Sequence, residues 1–283
     1  MECKKCSFEN GESAKFCVKC GTSLVPEQET VSGNKAQRNS RKKTIIIFVV
    51  LLALGVGIFY FVKGRSSIKM VSVKGGTFRM GSTSGHSDEK PVHSVTLSNF
   101  RISKYEVTQK QWKDVMGSNT SYFKGDNLPV EDVSWNEVQT FIRKLNAKTG
   151  KKYRLPTESA WEFAARGGNK SRGYKYSGSN TFGDVAWYVG NSGGKTHPVG
   201  TKAPNELGIY DMSGNVSEWC SDWFDDYSSS SQTNTQGPSS GSFRVYRGGS
   251  WRNDATDCRT TSRSISYPSD IYYNLGFRLV SSF

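Results

Sequence analysis

Histidine is scarce in this chain of 283 residues, with three in all. Three histidines are too few for a histidine-rich iron centre, and we expect His86 and His93, in SGHSDEKPVHSV, to be solvated or hydrogen-bonded rather than metal ligands. The chain also lacks a Walker-type phosphate loop, and neither GGSW nor GFR has a histidine and a carboxylate nearby in a nucleophile-elbow context. The sequence therefore nominates no catalytic nucleophile.

The positive charge has no long basic stripe. The formal net charge is +13, yet the lysines and arginines are spread along the chain, so we expect no specific nucleic-acid partner. With 35% hydrophobic and 22% charged residues, the composition is that of an ordinary globular protein. Charge alone assigns no function here.

Cysteine is also sparse, and the six residues form two groups. Four lie in two CxxC steps within MECKKCSFENGESAKFCVKCGTSL, and two lie far downstream. Paired CxxC steps suit thiolate metal binding in a reducing compartment, whereas a distant pair suits a disulfide in an oxidising one. The split indicates that the two ends of the chain occupy different compartments.

Residues 1–24 are predicted to form a zinc ribbon, in which Gly21 allows the tight turn after the second CxxC step. The segment is too short to fold on a hydrophobic core, so the metal would supply its folding free energy. Two disulfides or free thiols are the alternatives. An all-cysteine site leaves no position open for water, so we expect a structural Zn²⁺. The predicted zinc ligands are Cys3, Cys6, Cys17 and Cys20.

One long uncharged hydrophobic run, TIIIFVVLLALGVGIFYFV, occupies residues 44–62. As a helix it would span roughly 28 Å, close to the hydrocarbon thickness of a bilayer. A buried core helix is the alternative, and a cleaved signal peptide is disfavoured because the run begins late and lacks a small-residue cleavage site. The sequence predicts a single-pass membrane protein.

The polar segment 25–43 before this run is predicted to be a flexible basic tether. Its lysines and arginines outnumber those just after the run, so the positive-inside rule favours a cytoplasmic N-terminus at the cell membrane. The large C-terminal region would then be extracytoplasmic. The tether charges could touch anionic lipid or nucleic acid, although solvation is the simpler reading.

Residues 68–283 are predicted to form one domain of short strands, long ordered loops and two clear helices. One helix follows Ser134 and ends at Gly150, and the other follows Thr157 and ends at Gly167 and Gly168. The serine-rich stretch DDYSSSSQTNTQGPSSGS reads as an exposed loop. We assign that loop no chemistry.

Several long segments of this domain occur in a fixed order. Together they resemble the formylglycine-generating enzymes, or sulfatase-modifying factors, over about residues 70–283. The resemblance implies an α+β, C-type-lectin-like fold with little regular secondary structure. The segments are VSVKGGTFRMGS, KYEVTQKQW, PVEDVSWNEVQTF, YRLPTESAWEFAARGG, NELGIYDMSGNVSEWCSDWF, YRGGSWRND and NLGFRLV.

Within this resemblance, YDMSGNVSEW corresponds to a calcium-binding segment. The implied ligands are Asp211 and Glu218 with the carbonyl oxygens of Gly214 and Val216, a hard oxygen set that suits Ca²⁺. A carboxylate pair that caps a turn is the alternative. The ligands of a second, upstream calcium site of the family are not identifiable in this sequence.

The family's oxidases hold copper with two cysteines after the GGS-aromatic motif. In WRNDATDCRTTSR those two positions fall near Asn253 and Ala255, and Cys258 is the single cysteine. One thiolate does not make a copper(I) bis-thiolate, so copper is not expected. Cys258 and Cys220 would lie near the same tryptophan-rich core in this fold, and a disulfide between them is the preferred reading. A reactive or copper-binding pair is the alternative.

These observations lead to an expected function. We expect an extracytoplasmic sulfatase-modifying-factor-like pseudoenzyme that has lost oxidase activity and binds or scaffolds an unknown protein or glycan. The chain also lacks the iron site of the family's ergothioneine-forming relatives. A diverged metal-dependent oxidase or protein-modifying enzyme is the alternative, and a transmembrane sensor is a third reading.

Overall fold

The computed structural model describes residues 1–25 and 67–282. The chain divides into two compact units, Met1–Gly64 and Arg65–Phe283, and each is described by itself. The hydrophobic run at 44–62 and the tether from residue 26 onward lie outside the described residues, so the predicted membrane span stays a prediction. In the two stretches that are described, no helix has both the length and the apolar character needed to cross a bilayer.

The larger unit consists of short strands and four short α-helices joined by long ordered loops. The strands are β1 Met70–Val73, β2 Gly76–Met80, β3 His93–Leu97, β4 Phe100–Ser103, β5 Tyr153–Arg154, β6 Ser217–Trp223, β7 Gln232–Thr233, β8 Arg244–Arg247, β9 Arg263–Ser266, β10 Leu275–Gly276 and β11 Val280–Ser281. The helices are α1 Gln109–Met116, α2 Trp135–Thr149, α3 Glu158–Ala165 and α4 Phe182–Val185, with 3₁₀ turns at Ser87–Glu89 and Gly168–Lys170.

The two predicted helices, α2 and α3, are present with the expected N-caps. Ser134 accepts from the Glu137 amide and Glu137 reaches back, while Gly150 ends α2 in the left-handed region at φ 70°. Thr157 accepts from the Ala160 amide at the start of α3. Helix α3 ends at Ala165, with the left-handed residue one turn position later than the helix end.

Helix α1 was not predicted. It carries the same signals in fewer residues, since Thr108 and Gln111 form a capping box and Gly117 ends the helix at φ 89°. Its single buried large side chain, Trp112, stacks on Phe141 of α2 with ring centroids 5.1 Å apart. One buried aromatic in eight residues leaves too little periodicity to identify the helix from sequence.

The strands form three small sheets, ordered β1-β4-β11-β5, β10-β6-β8-β9 and β2-β3-β7. In the first, the last strand of the chain lies between β4 and β5, with Val280 opposite Ile102 on one side and Arg154 on the other. In the second, β6 and β8 are antiparallel with a register shift between Trp219 and Trp223. This second sheet carries most of the polar groups discussed below.

Two apolar clusters form the core of the larger unit. One surrounds α3, whose residues are all buried and whose Trp161 is fully enclosed. The other packs α2 against Trp219 and Phe277. The serine-rich segment is largely exposed, as predicted, but it also supplies β7, which pairs in parallel with β3.

Candidate functional site

The first candidate site is the cysteine cluster of the small unit. The sulfur atoms of all four cysteines lie within 4.8 Å of one another, and among the described residues this is the one cluster able to hold a metal. Cys3 and Cys20 are 3.6 Å apart at sulfur, as are Cys6 and Cys17. Tetrahedral thiolates about 2.3 Å from Zn²⁺ would be separated by ~3.8 Å, so the donor set fits zinc.

The backbone around these cysteines forms two matching turns. The amides of Ser7 and Gly21 donate to the carbonyls of Cys3 and Cys17, each at 2.8 Å. Both residues adopt positive φ, 53° for Ser7 and 70° for Gly21, so the turn predicted at Gly21 occurs twice. A hydrogen bond from Thr22 lowers the pKa of the Cys20 thiol to about 6, which favours the thiolate that a metal needs.

A second polar centre lies beneath α3 in the larger unit. Arg247 is fully buried and donates to Glu158 at 2.5 Å and to Glu162 at 2.6 Å. Arg263 adds two hydrogen bonds to Glu158, and Tyr227 adds another. These charges are paired in the interior, where isolated charges would be costly. The network fixes α3 against β8 and β9.

The predicted calcium segment forms a third polar centre. Asp211 is buried and accepts from the Gly200 amide at 2.6 Å through Oδ2, while its Oδ1 has no hydrogen-bond partner. Glu106 lies in the same cluster and accepts from Asn215 and from the Val216 amide. Burial raises the pKa of Asp211 to about 6 and that of Glu106 well above its ordinary value, the latter also through repulsion from Asp211.

Glu218 does not match its predicted role as a free calcium ligand. Arg278 donates to both of its carboxylate oxygens at 2.6 Å, and the Trp161 indole donates at 2.7 Å. An oxygen held in a bidentate pair is a poor metal donor because its negative charge is already compensated. The acidic groups here that fit a cation are Asp211, through its unpartnered oxygen, and Glu106.

The structure gives no support to the predicted disulfide, because Cys220 and Cys258 are both free thiols and both fully buried. Cys220 packs in the core cluster around α3, whereas Cys258 lies against the backbone of Gly249. Burial raises the pKa of each thiol well above its ordinary value. The unreactive thiol is therefore the dominant form of both residues at neutral pH.

A group of aromatic residues, which we call the aromatic patch, lies on the surface over the GGSWRND segment. It comprises Tyr122, Phe123, Trp251, Arg252 and Tyr273, with neighbouring ring centroids 5.0 to 5.7 Å apart. Arg252 lies over the Tyr273 ring and donates to its hydroxyl at 2.8 Å. Tyr122 is 69% exposed and Tyr273 is 37% exposed. Tyrosine, tryptophan and arginine are the residues enriched at binding hot spots.

The loop that carries Tyr122 and Phe123 is held from beneath by Glu131. This carboxylate is fully buried and accepts from the amides of both residues, at 3.0 and 2.9 Å. Burial raises the pKa of Glu131 to about 7. The aromatic patch is therefore presented by an ordered backbone, which limits the entropy lost when a ligand binds.

The three histidines differ in their surroundings. His86 is exposed, as expected. His93 is buried, and its Nδ1 lies 3.1 Å from the Pro91 carbonyl; His197 lies 2.7 Å from the Ser192 carbonyl and stacks on Trp187. Hydrogen bonding rather than metal ligation accounts for the contacts of both buried rings.

Residues 62–283 match the family described as the sulfatase-modifying factor enzyme 1-like domain. The chain belongs to this family. It is 35% identical to the chaperone protein LppX of Paenibacillus barcinonensis, an alignment that covers 84% of this chain and 98% of that protein. It is 30% identical to the formylglycine-generating enzyme of Streptomyces coelicolor, over 76% of this chain and 89% of the enzyme. The family predicted from the sequence motifs is thereby confirmed.

Solved structures of this sulfatase-modifying-factor fold resemble the larger unit. Treponema denticola variable protein 1 superposes with a TM-score of 0.72 at 35% identity, covering 76% of this chain and 95% of that chain. PvdO from Pseudomonas aeruginosa gives a TM-score of 0.66 at 30% identity, covering 76% and 94%. The mixed α and β fold with short elements is therefore shared with these relatives.

The sequence analysis did not identify the aromatic patch or the buried arginine–glutamate network. A signal for the network was present in α3, where Glu158, Glu162 and Arg166 recur at helical spacing beside Trp161. Such a row normally indicates a solvated face. Here it is buried, because the arginine partners come from strands more than eighty residues later, as the separations of 89 and 85 residues show.

Proposed function

We propose that this chain is a membrane-anchored member of the sulfatase-modifying factor family that binds another protein and lacks the family's oxidase activity. In this proposal the run at 44–62 spans the cell membrane, the zinc ribbon is cytoplasmic and the larger unit is extracytoplasmic. The zinc has a structural role because four cysteines close its coordination sphere.

The observation that carries the proposal is the aromatic patch. Its rings are exposed, ordered and joined by Arg252, and they lie over the segment in which the family's oxidases hold copper. The similarity to a protein named as a chaperone, over nearly that protein's whole length, favours a protein partner over a glycan. A partner chain with exposed aromatic and apolar side chains would fit these rings.

The two buried thiols argue against the oxidase alternative. A copper(I) site needs two thiolates that can approach one ion, and burial holds both Cys220 and Cys258 in the thiol form within different packing environments. Neither thiol is exposed to a substrate. Binding at the surface therefore explains the geometry better than oxidation at Cys258.

The activity test combines copper(I) titration, oxygen uptake and thiol counting on the purified full-length chain. We expect no stoichiometric copper at the larger unit, no copper-dependent oxygen uptake, and Cys220 and Cys258 thiols that react only after unfolding. Replacing the four zinc-binding cysteines with serine in a parallel sample separates the two thiol populations. Tight copper binding that is lost in Cys258→Ser, with oxygen consumption, would restore the oxidase.

The binding test measures suppression of aggregation of a chemically unfolded, non-native client protein. We expect the wild-type chain to suppress aggregation and Tyr122→Ala with Tyr273→Ala to lose most of this effect. Tyr267→Ala is the matched control, because this tyrosine is 52% exposed and lies outside the aromatic patch. Equal activity of all variants, or binding to a glycan array in place of the client, would reject the protein-binding role of the patch.

We also propose that Ca²⁺ binds beside Asp211 and stabilises the larger unit. The unpartnered oxygen of Asp211 and the neighbouring Glu106 carboxylate are hard donors, and a cation would relieve the repulsion that raises both pKa values. We expect Ca²⁺ to raise Tm in wild type but not in Asp211→Asn. An equal effect of Ca²⁺ on the two proteins would place the ion elsewhere.

A further inference from the structure

A second cavity lies apart from the aromatic patch, between the N-terminal end of α3 and the serine-rich segment. Its volume is about 220 Å³. This is below the ~300–1,000 Å³ typical of sites for drug-sized ligands, so the cavity suits a single small group. The residues that carry the argument are His93, Asp222, Asp225, Asp226, Tyr227 and Arg263.

The donor groups that line this cavity already have partners. Arg263 donates through Nε and both terminal nitrogens to Glu158, to the Asp88 carbonyl and to the Asp225 carbonyl. The Tyr227 hydroxyl donates to Glu158 at 3.1 Å. In return, these donors occupy both Glu158 oxygens. The paired groups form the wall of the cavity and have little capacity left for a ligand.

The acceptor groups, by contrast, have capacity to spare. Asp222 is 4% exposed, and both hydrogen bonds that it receives, from the Glu158 amide and from Ser221, end on Oδ2. This leaves its Oδ1 without a hydrogen bond among the described contacts. Asp225 and Asp226 add two more carboxylates at the exposed rim.

His93 is an independent indication of the same kind. Its ring is 2% exposed and packs on Tyr227 with centroids 4.8 Å apart. Its Nδ1 lies 3.1 Å from the Pro91 carbonyl, which only accepts, so Nδ1 carries the proton of the neutral ring. Nε2 is then a buried acceptor in a residue that lines the cavity. A ligand with several donors would satisfy both His93 and Asp222.

A bare metal ion fits this arrangement poorly. Among residues 1–25 and 67–282, the amino-terminal cysteines alone converge closely enough for metal coordination, so the imidazole and carboxylates here are too widely spaced. A larger cation with several N–H groups can reach across such a gap. A protonated primary amine provides one positive charge and three donors on a narrow alkyl stem.

We propose that this cavity binds the primary ammonium group of an alkylamine, through Asp222, His93 and the rim carboxylates Asp225 and Asp226. The same chemistry is offered by a lysine side chain of a partner protein and by a free diamine. The raised pKa of Asp222, about 7 through burial and the neighbouring Glu158, agrees with a carboxylate that lacks its cation.

The test is calorimetric titration of the purified full-length chain with Nα-acetyl-lysine methylamide and, separately, with cadaverine. The corresponding norleucine derivative has the same alkyl stem without the ammonium group. We expect binding of the amines and none of the norleucine derivative. Tighter binding of the lysine derivative identifies a partner protein's side chain as the ligand, and tighter binding of cadaverine identifies a free amine.

Two variants make the test specific. Asp226→Asn lies at the exposed rim, where the fold should tolerate it, and together with Asp222→Asn it should weaken amine binding ~10-fold or more through lost charge-assisted hydrogen bonds. Asp126→Asn removes the same charge from an exposed position outside the cavity and should change affinity less than ~2-fold. Binding of the norleucine derivative, or unchanged amine affinity in Asp226→Asn and the double variant, would overturn the proposal.

Discussion

Replacing Arg278 with methionine should destabilise the larger unit more than the same change at Arg247. Arg278 is fully buried and is the cation that pairs with Glu218. After Arg278→Met, Glu218 keeps only the Trp161 indole, and Glu106 and Asp211 lie nearby. Removing one partner of a buried pair costs about 3–5 kcal/mol, and we expect the upper part of that range here.

Arg247→Met provides the matched comparison. Both of its carboxylate partners keep a second arginine, since Arg263 still contacts Glu158 and Arg166 still contacts Glu162 at 2.9 Å. The cost should therefore be nearer the lower end of about 3–5 kcal/mol. The measurement is urea unfolding followed by tryptophan fluorescence, with EDTA present so that calcium does not mask the lost charge.

The pH dependence gives this prediction its sign. The Arg278 guanidinium lowers the pKa values of Glu106 and Asp211, so its removal should raise both further above their unfolded values near 4. The native variant then binds more protons than the unfolded chain, and its stability should increase as the pH falls from about 7 toward 4.5. Arg278→Met that costs less than Arg247→Met, or that loses stability over this range, would refute the reasoning.

Three further results are expected. Cys20→Ser should abolish stoichiometric zinc binding, measured by metal analysis of the purified chain, because one of four convergent thiolates is lost; full retention would exclude the four-cysteine site. Ser134→Ala should cost about 1 kcal/mol in urea unfolding through loss of the α2 cap, whereas Ser230→Ala, on an exposed loop, should be neutral. Glu131→Gln should flatten the stability profile between about pH 4.5 and 7, because the wild-type carboxylate binds its proton more tightly when folded and destabilises the native state as pH rises; an unchanged profile would exclude Glu131 as the cause.

The sequence predicted the parts of the molecule whose signals are local. The turns around Cys3 to Cys6 and Cys17 to Cys20 depend on residues within one CxxC step, and α2 depends on a capping box and a terminal glycine. These interactions involve neighbours along the chain, so spacing alone identifies them. The family assignment followed from longer segments of the same kind.

The rest depends on contacts between distant segments. Arg263 reaches Glu158 across 105 residues, and Arg278 reaches Glu218 across 60, with no periodicity that links either pair. The role predicted for Glu218 failed for this reason, since its motif alone does not reveal an arginine from β10 to β11 competing for the carboxylate. The free thiols of Cys220 and Cys258 likewise reflect packing that only the folded chain determines.

The position of β11 has a consequence for biosynthesis. This strand joins β4 to β5, and its neighbour Leu279 bonds to Ser103 across 176 residues, so the first sheet is incomplete until the chain's last residues have been made. Synthesis from the N-terminus therefore leaves the edges of β4 and β5 open throughout translation. A nonsense mutation only a few codons before the stop would remove no polar centre of the domain, yet it would release a product with two unpaired strand edges and a strong tendency to aggregate.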